Sequence, residues 1–394
     1  MLQIRKTISD SLTKELENIL NYWSTNTIDE VYGGFVGERD HYNNLKLNAN
    51  KGIILNSRIL WAFSAASNHY NPEIYKDICL RSYTYLKTNF KDTTYGGVFW
   101  ELDAKGNPIN TRKQIYAQAF TIYALSEYYA CSKDSEVLNW AIEIYEHIEN
   151  YAKDSLHNGY TEAFEIDWST IEDMRLSDKD VNAVKTMNTH LHVLEAYSNL
   201  LRVYENEGLK KNLTNLIELF LHKFLREDNH LQLFFDQTWN SQDTRISFGH
   251  DIETAWLLID AAKIVKNKKL ILETEAIAIQ IANTFINEGI DADGGVFNEF
   301  NIEKQTFDTD KHWWPQVEAL IGLDYAYQIT KNKKYLEIAW KIWTFIQATI
   351  IDTENGEWFS RVNKTGRPYT NEYKVGMWKA PYHNTRACIK LIIK

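Results

Sequence analysis

Apolar residues recur along this chain at three- and four-residue steps through long stretches, broken at intervals by short turn-rich segments. In SEVLNWAIEIYEHIENYA the apolar positions share one helical face and the charged ones the other. A stretch such as AQAFTIYALSEYY is richer in small and apolar residues. The two kinds alternate. Apolar-rich helices are predicted to begin near Ile53, Gln114, Met187, Gly249, His312 and Tyr382. Amphipathic ones are predicted near Ile8, Pro72, Ser135, Lys210, Lys269 and Lys333. One kind reads as shielded and the other as half-solvated.

The breaks are themselves a repeat. YGGFVGERD, YGGVFWELDAKGNP, NGYTEAFEIDW, LQLFFDQTW, GGVFNEF and GEWFSRVNKTGRP follow one another at roughly 60 to 75 residues. Each joins a turn former to short aromatic and polar alternation, the mark of a hairpin or extended loop. Twelve alternating helices make six helical hairpins. An open solenoid needs polar capping repeats, whereas the last helix here, PYHNTRACIKLIIK, is apolar and suits a closing inner position. The expected fold is therefore all-α, an (α/α)6 barrel with short hairpins at one end. No linker divides it, so residues 1–394 are expected to form one domain.

Composition narrows the function classes. The 394 residues carry 43 Lys and Arg against 53 Asp and Glu, a net charge of −10 with no basic face. Nucleic acid is thus not an expected partner. No apolar run reaches the length of a membrane span, and the N-terminus lacks a signal-peptide core. Cys79, Cys131 and Cys388 are odd in number and far apart, which reads as reduced thiols in a cytoplasmic protein. Thirteen Trp and 23 Tyr supply many flat rings. Such rings suit the C–H face of a sugar, or simply fill a large helical core.

In such a barrel, polar residues on inner helices mark the central cavity. Arg58 lies among apolar residues, as an ion-paired support or an anchor for hydroxyls. Tyr116 opens the second inner helix. Asn188 and His192 are four apart and share a face, while His190 points elsewhere. His250, Glu253 and Trp256 stand at three-residue steps, so the carboxylate is placed to steady the imidazole. Trp314 and Glu318 are four apart, and His383 follows Trp378. Three inner helices thus each present a histidine, a group that takes or gives a proton near neutral pH. No nucleotide loop or nucleophile elbow accompanies them. His-x-His on a helix diverges, and no metal is expected. Two bases flanking one carbon suit proton abstraction beside a carbonyl, with Arg58 stabilising the oxyanion.

The segments KGIILNSRILW, IYAQAFTIYALSEYY, EAFEIDWSTIEDMRLSDKD, KTMNTHLHVLEAY, FGHDIETAWLL, KHWWPQVEAL and WKAPYHNTRAC resemble, in order and in register, the N-acylglucosamine 2-epimerase superfamily, and within it the cellobiose 2-epimerases. The resemblance implies a cofactor-free sugar isomerase that converts the reducing-end glucose of a β-1,4-linked disaccharide to mannose. Its partner would be a small sugar and its form a monomer. The resemblance makes His250 and His383 the acid/base pair, with His192 assisting. Arg58, Tyr116, Asn188, Glu253 and Glu318 would hold hydroxyls, and Trp256, Trp314 and Trp378 would pack on sugar rings. Ser360 departs from the pattern, where an aromatic is expected. A mannose 2-epimerase or a mannose–fructose isomerase acting on free monosaccharides is the alternative. Glu253 and Glu318 as a hydrolase pair, or a sugar-binding barrel without chemistry, are two further readings.

Overall fold

The computed structural model describes residues 2–392, and twelve α-helices lie among them. The inner set is α2 (Ile53–His69), α4 (Ile115–Ser132), α6 (Met187–Val203), α8 (Phe248–Val265), α10 (Trp313–Thr330) and α12 (His383–Ile392). The outer set is α1 (Leu2–Asn26), α3 (Lys76–Tyr85), α5 (Ser135–His147), α7 (Glu207–Leu219), α9 (Lys268–Glu288) and α11 (Lys334–Phe345). Inner helices start within a residue of their expected places. The outer helix α1 begins at Leu2 rather than near Ile8, since no breaker precedes Ile8. By contrast, α3 begins at Lys76, after a turn that holds Pro72. The last two residues of the expected closing helix lie outside the described residues.

Each inner helix packs on its two inner neighbours, and α12 touches both α10 and α2, so the ring closes. The expected (α/α)6 barrel is the observed fold. Inner helices are buried nearly all round: α2 has no exposed residue from Ile53 to Ser67. Outer helices bury one stripe, as in α7, where Leu209, Leu213, Leu216 and Ile217 face inward. Among the described residues no helix is long and apolar enough to cross a membrane.

The loops entering the inner helices are held by a repeated device. Four outer helices end in a widened turn, such as Leu86–Phe90, that releases the chain into an antiparallel bridge. The residue after that bridge is Asp92, Asp154 or Asp352, and Asp29 and Asp291 take the same place elsewhere. Each accepts an ion pair from a buried lysine near the next inner helix. The pairs are Lys51–Asp29 at 2.6 Å, Lys113–Asp92 at 2.6 Å, Lys185–Asp154 at 2.8 Å, Lys311–Asp291 at 2.9 Å and Lys374–Asp352 at 2.5 Å. The fourth repeat lacks both partners together, with Arg226 and Ile246 in their places.

A second repeat pins the loop tips. The fourth residue of α4, α6, α8 and α10 accepts a backbone amide from the preceding loop. Gln118 takes Val98 N at 2.9 Å, His190 takes Tyr160 N at 2.9 Å, Asp251 takes Leu231 N at 2.9 Å and Gln316 takes Val296 N at 2.7 Å. His190 is therefore a loop anchor. Its Nδ1 donates to Thr186 O at 2.7 Å, which fixes the tautomer that leaves Nε2 free to accept.

Candidate active site

The first turns of the inner helices enclose a cavity of about 240 Å³ at the loop end of the barrel. Arg58, Phe120, His192, Glu253 and Glu318 are each the sixth residue of their helix, and their side chains converge on the axis. The Arg58 guanidinium lies 4.5 Å from the centre of the Phe120 ring, which in turn lies 4.5 Å from the His192 ring. Arg386 of α12 completes this layer from beneath.

Of the residues expected in the site, Arg58, Tyr116, Asn188, His192, His250, Glu253, Trp314, Trp378 and His383 line this one cavity. Arg58 donates to Tyr116 Oη at 2.9 Å and to Trp378 O at 3.3 Å, while its Nε has no partner. Asn188 Oδ1 is likewise buried and unpaired. Polar atoms left without partners in a cavity wall await a ligand's hydroxyls. The rings of His250 and His383 both lie against Trp314, with centres 4.8 and 5.5 Å from it. A Cβ at Gly249 would lie 2.5 Å from the Trp314 ring, so glycine there permits that approach.

Two expected residues lie elsewhere. Trp256 does not line the cavity; it is buried below it and donates to Glu318 Oε2 at 3.1 Å, so no sugar ring stacks on it. Glu318 also lies beneath, bonded to His383 Nδ1 at 2.7 Å and to Arg386 at 2.7 Å, and so holds a histidine rather than a hydroxyl. Nor does Glu253 steady His250. Ser247 Oγ sits 2.8 Å from His250 Nδ1, and Glu253 pairs with Arg386. His312 and Trp313 line the cavity without having been singled out in the sequence. Ser360 does not line it; its backbone oxygen accepts Trp313 N at 3.2 Å.

The electrostatics follow from burial. His250 is pushed down to about 3 by burial, with a smaller push from His192. Burial brings His192 down to about 4 despite Glu195, whose Oε2 is 3.0 Å from its Nδ1. His383 is driven well down by burial and by the charges of Arg58 and Arg386. All three are neutral near pH 7. With Nδ1 of His192 and His383 donating to carboxylates, Nε2 is the free acceptor on each. The convergent helix N-termini add a positive potential that favours an anion in the cavity.

Arg386 is the hub below. It pairs with Glu195, Glu253 and Glu318, and Tyr382 Oη donates to Glu195 at 2.5 Å. Glu253 and Glu318 are both pushed up by burial and, for Glu253, by the other's charge. Glu195 is held at about 2, against burial, by Arg386 and His192. Glu253, Glu318 and His383 bring ligand atoms within 4.8 Å of one another, as a metal would require. The guanidinium on both carboxylates already supplies that positive charge. Glu318 lies outside the cavity lining and both carboxylates are bonded to Arg386, so the two do not stand as a hydrolase pair facing a glycosidic oxygen there.

The N-acylglucosamine 2-epimerase family model matches residues 33–387. A cellobiose 2-epimerase of Bacteroides fragilis is 42% identical over 387 residues, covering 98% of each chain. The structure of a cellobiose 2-epimerase from Bacillus thermoamylovorans superposes with a TM-score of 0.94 at 39% identity, covering 98% of this chain and 99% of that one. A D-mannose isomerase structure shares the fold, with a TM-score of 0.85 at 21% identity over 97% of both chains.

Proposed function

Because the chain belongs to the N-acylglucosamine 2-epimerase family, we propose that this cavity epimerises the reducing-end glucose of a β-1,4-linked disaccharide at C2. The product carries mannose there, and the glycosidic bond is untouched. The likeness to cellobiose 2-epimerases over nearly the full length supports the disaccharide. What carries the chemistry is one observation: three buried, neutral histidines surround a small pocket that also holds an unneutralised guanidinium edge, Arg58 Nε.

The sequence of steps uses these groups alone. The pyranose opens, with His192 giving and taking the protons of the hydroxyl and ring oxygen. One of His250 and His383 removes the C2 proton through its free imidazole nitrogen, and the electron pair moves into an enediolate. Arg58 and the Tyr116 hydroxyl bonded to it stabilise the oxygen anion. Rotation about C2–C3 presents the other face. The second histidine, which enters the cycle as imidazolium with a proton drawn from solvent, returns that proton to C2, so each turnover exchanges the protonation of the pair. Glu318 keeps the His383 tautomer fixed throughout. Asn188 and Glu253 bond hydroxyls, and Trp314 and Trp378 pack on the sugar.

In this reading residues 1–394 work as one catalytic domain, a cytoplasmic monomer acting on small sugars. The free thiols Cys79, Cys131 and Cys388 support a reducing compartment. The test is cellobiose in D2O followed by proton NMR. A mannose-type anomeric signal with deuterium at C2 is expected. Ketose products would make the enzyme an isomerase, and conversion of free mannose alone would move the substrate to monosaccharides.

A further inference from the structure

The barrel axis holds a second cavity, of about 460 Å³, lined by the C-terminal halves of the inner helices. Arg386 separates it from the reacting pocket. We propose that this far cavity is a non-catalytic binding site for a neutral sugar of hexose size, distinct from the substrate pocket.

Three features of the walls point to that ligand. One pair of aromatic rings lines it: Trp61 stacks on Tyr123 with centres 5.1 Å apart, while the Trp256 ring is covered by Lys390 and Arg386, 4.6 and 4.8 Å from its centre. Such flat faces match the C–H surface of a pyranose. Three of the lining side chains carry a buried hydrogen-bond donor without a partner, namely Trp61 Nε1, Ser198 Oγ and Arg386 Nε. All three residues are more than nine-tenths buried. Unpaired buried donors cost free energy, which an oxygen-rich ligand would recover. Charge excludes the other obvious occupant. Arg386 already faces Glu195, Glu253 and Glu318, and these carboxylates would repel an anion from the floor. At the rim Arg202 meets Glu127 and Lys390 meets Asp260, and Lys263, seated over the Tyr325 ring, also lends its charge to Asp260, so the cations there face carboxylates as well. Only a neutral acceptor satisfies donors set among carboxylates.

Occupancy would reach the histidines through one guanidinium. A sugar oxygen on Arg386 Nε fixes the group whose Nη atoms hold Glu195 and Glu318, and those carboxylates orient His192 and His383. The site is therefore placed to adjust turnover without competing with substrate.

The test uses the full chain labelled with 5-fluorotryptophan, with the Trp61 resonance assigned through Trp61→Phe. Cellobiose is added to saturation and glucose is then titrated, with fluorine NMR and sugar conversion followed in one sample. The Trp61 resonance is expected to shift saturably with glucose after the Trp314 resonance has stopped moving. Ser198→Ala should weaken that titration about tenfold, the loss of one hydrogen bond to a ligand. Ala65→Leu, which fills the cavity from α2, should remove it. A Trp61 resonance that stays still under glucose, or that shifts equally in Ser198→Ala and Ala65→Leu, overturns the proposal. Conversion of cellobiose reports the front pocket separately, so failure of one reading leaves the other readable.

Discussion

Two layers of side chains on α4, α6, α8 and α10, the second of them shared also by α2, behave in opposite ways. The fourth residues, Gln118, His190, Asp251 and Gln316, all do one job, capturing a loop amide at 2.7 to 2.9 Å. Among the sixth the contacts diverge: Arg58 packs on Phe120, His192 bonds Glu195, and Glu253 and Glu318 share Arg386. Two residues turn a helix by about 200°, so the two layers face opposite ways, one toward the loops and one toward the axis. Where the helices perform a shared structural task the repeat is kept in chemistry. Where they face the substrate it is broken, because one asymmetric molecule needs an acid, a base and an anion anchor in different places. His190 and His192 make the contrast within a single helix. One is a buried prop and the other is turned to the cavity by Glu195.

The sharpest way to break the inner layer is to remove its cation. Arg386→Met leaves Glu195, Glu253 and Glu318 buried without a counter-charge, and should cost about 3–5 kcal/mol in denaturant unfolding. An unchanged midpoint would mean the three carboxylates are held by something else. His383→Asn should leave stability near wild type while C2 deuterium exchange falls about 10²–10⁴-fold. Normal exchange in that variant would end the two-histidine mechanism. Glu318→Gln keeps the shape but loses the orienting charge, so kcat should fall at least about tenfold with KM little changed. A rise in KM alone would make Glu318 a substrate ligand instead.

Acid separates the layers less drastically. His190 and His192 sit at about 4 and His250 at about 3, all lowered first by burial from the ordinary 6.5. Between pH 6.5 and 4 these three histidines therefore bind more protons in the unfolded chain than in the folded one, and their contribution to stability falls as pH falls, while Glu253 and Glu162, raised to about 8 by burial, act in the opposite sense. The smallest effect expected is that of His190→Gln, which imitates Gln118 and Gln316. It should change stability by less than about 1 kcal/mol, leave epimerisation untouched and make the acid limb shallower. A large loss of turnover would show that the outer layer also serves the chemistry.

Much of this was legible in the sequence. Helical periodicity placed the inner helices to within a residue, because each is buried along most of its length and bounded by a turn. Nine of the eleven expected site residues line one cavity. The misplaced two, Trp256 and Glu318, lie on the right helices but beneath the pocket, a matter of depth that spacing alone does not encode. The bonds of Ser247 to His250 and of Arg386 to Glu195 were also invisible, the first from a strand end and the second joining residues far apart in the chain. One signal went unused. Lys51, Lys113, Lys185 and Lys311 each stand two residues before an inner helix. That register would have aligned the fourth and sixth positions and drawn attention to His312 and Trp313.

The ring is sealed by α12, the last of the twelve helices in chain order, which reaches both α10 and α2. A ribosome therefore delivers three axial carboxylates well before the guanidinium that neutralises them. Until α12 emerges, the nascent chain holds a half-built cylinder with mutually repelling acids on its bore and an unsealed seam along its length. Ring closure can be committed only once α12 has been made, so the same segment that brings His383 to the sugar also sets when the cylinder can shut.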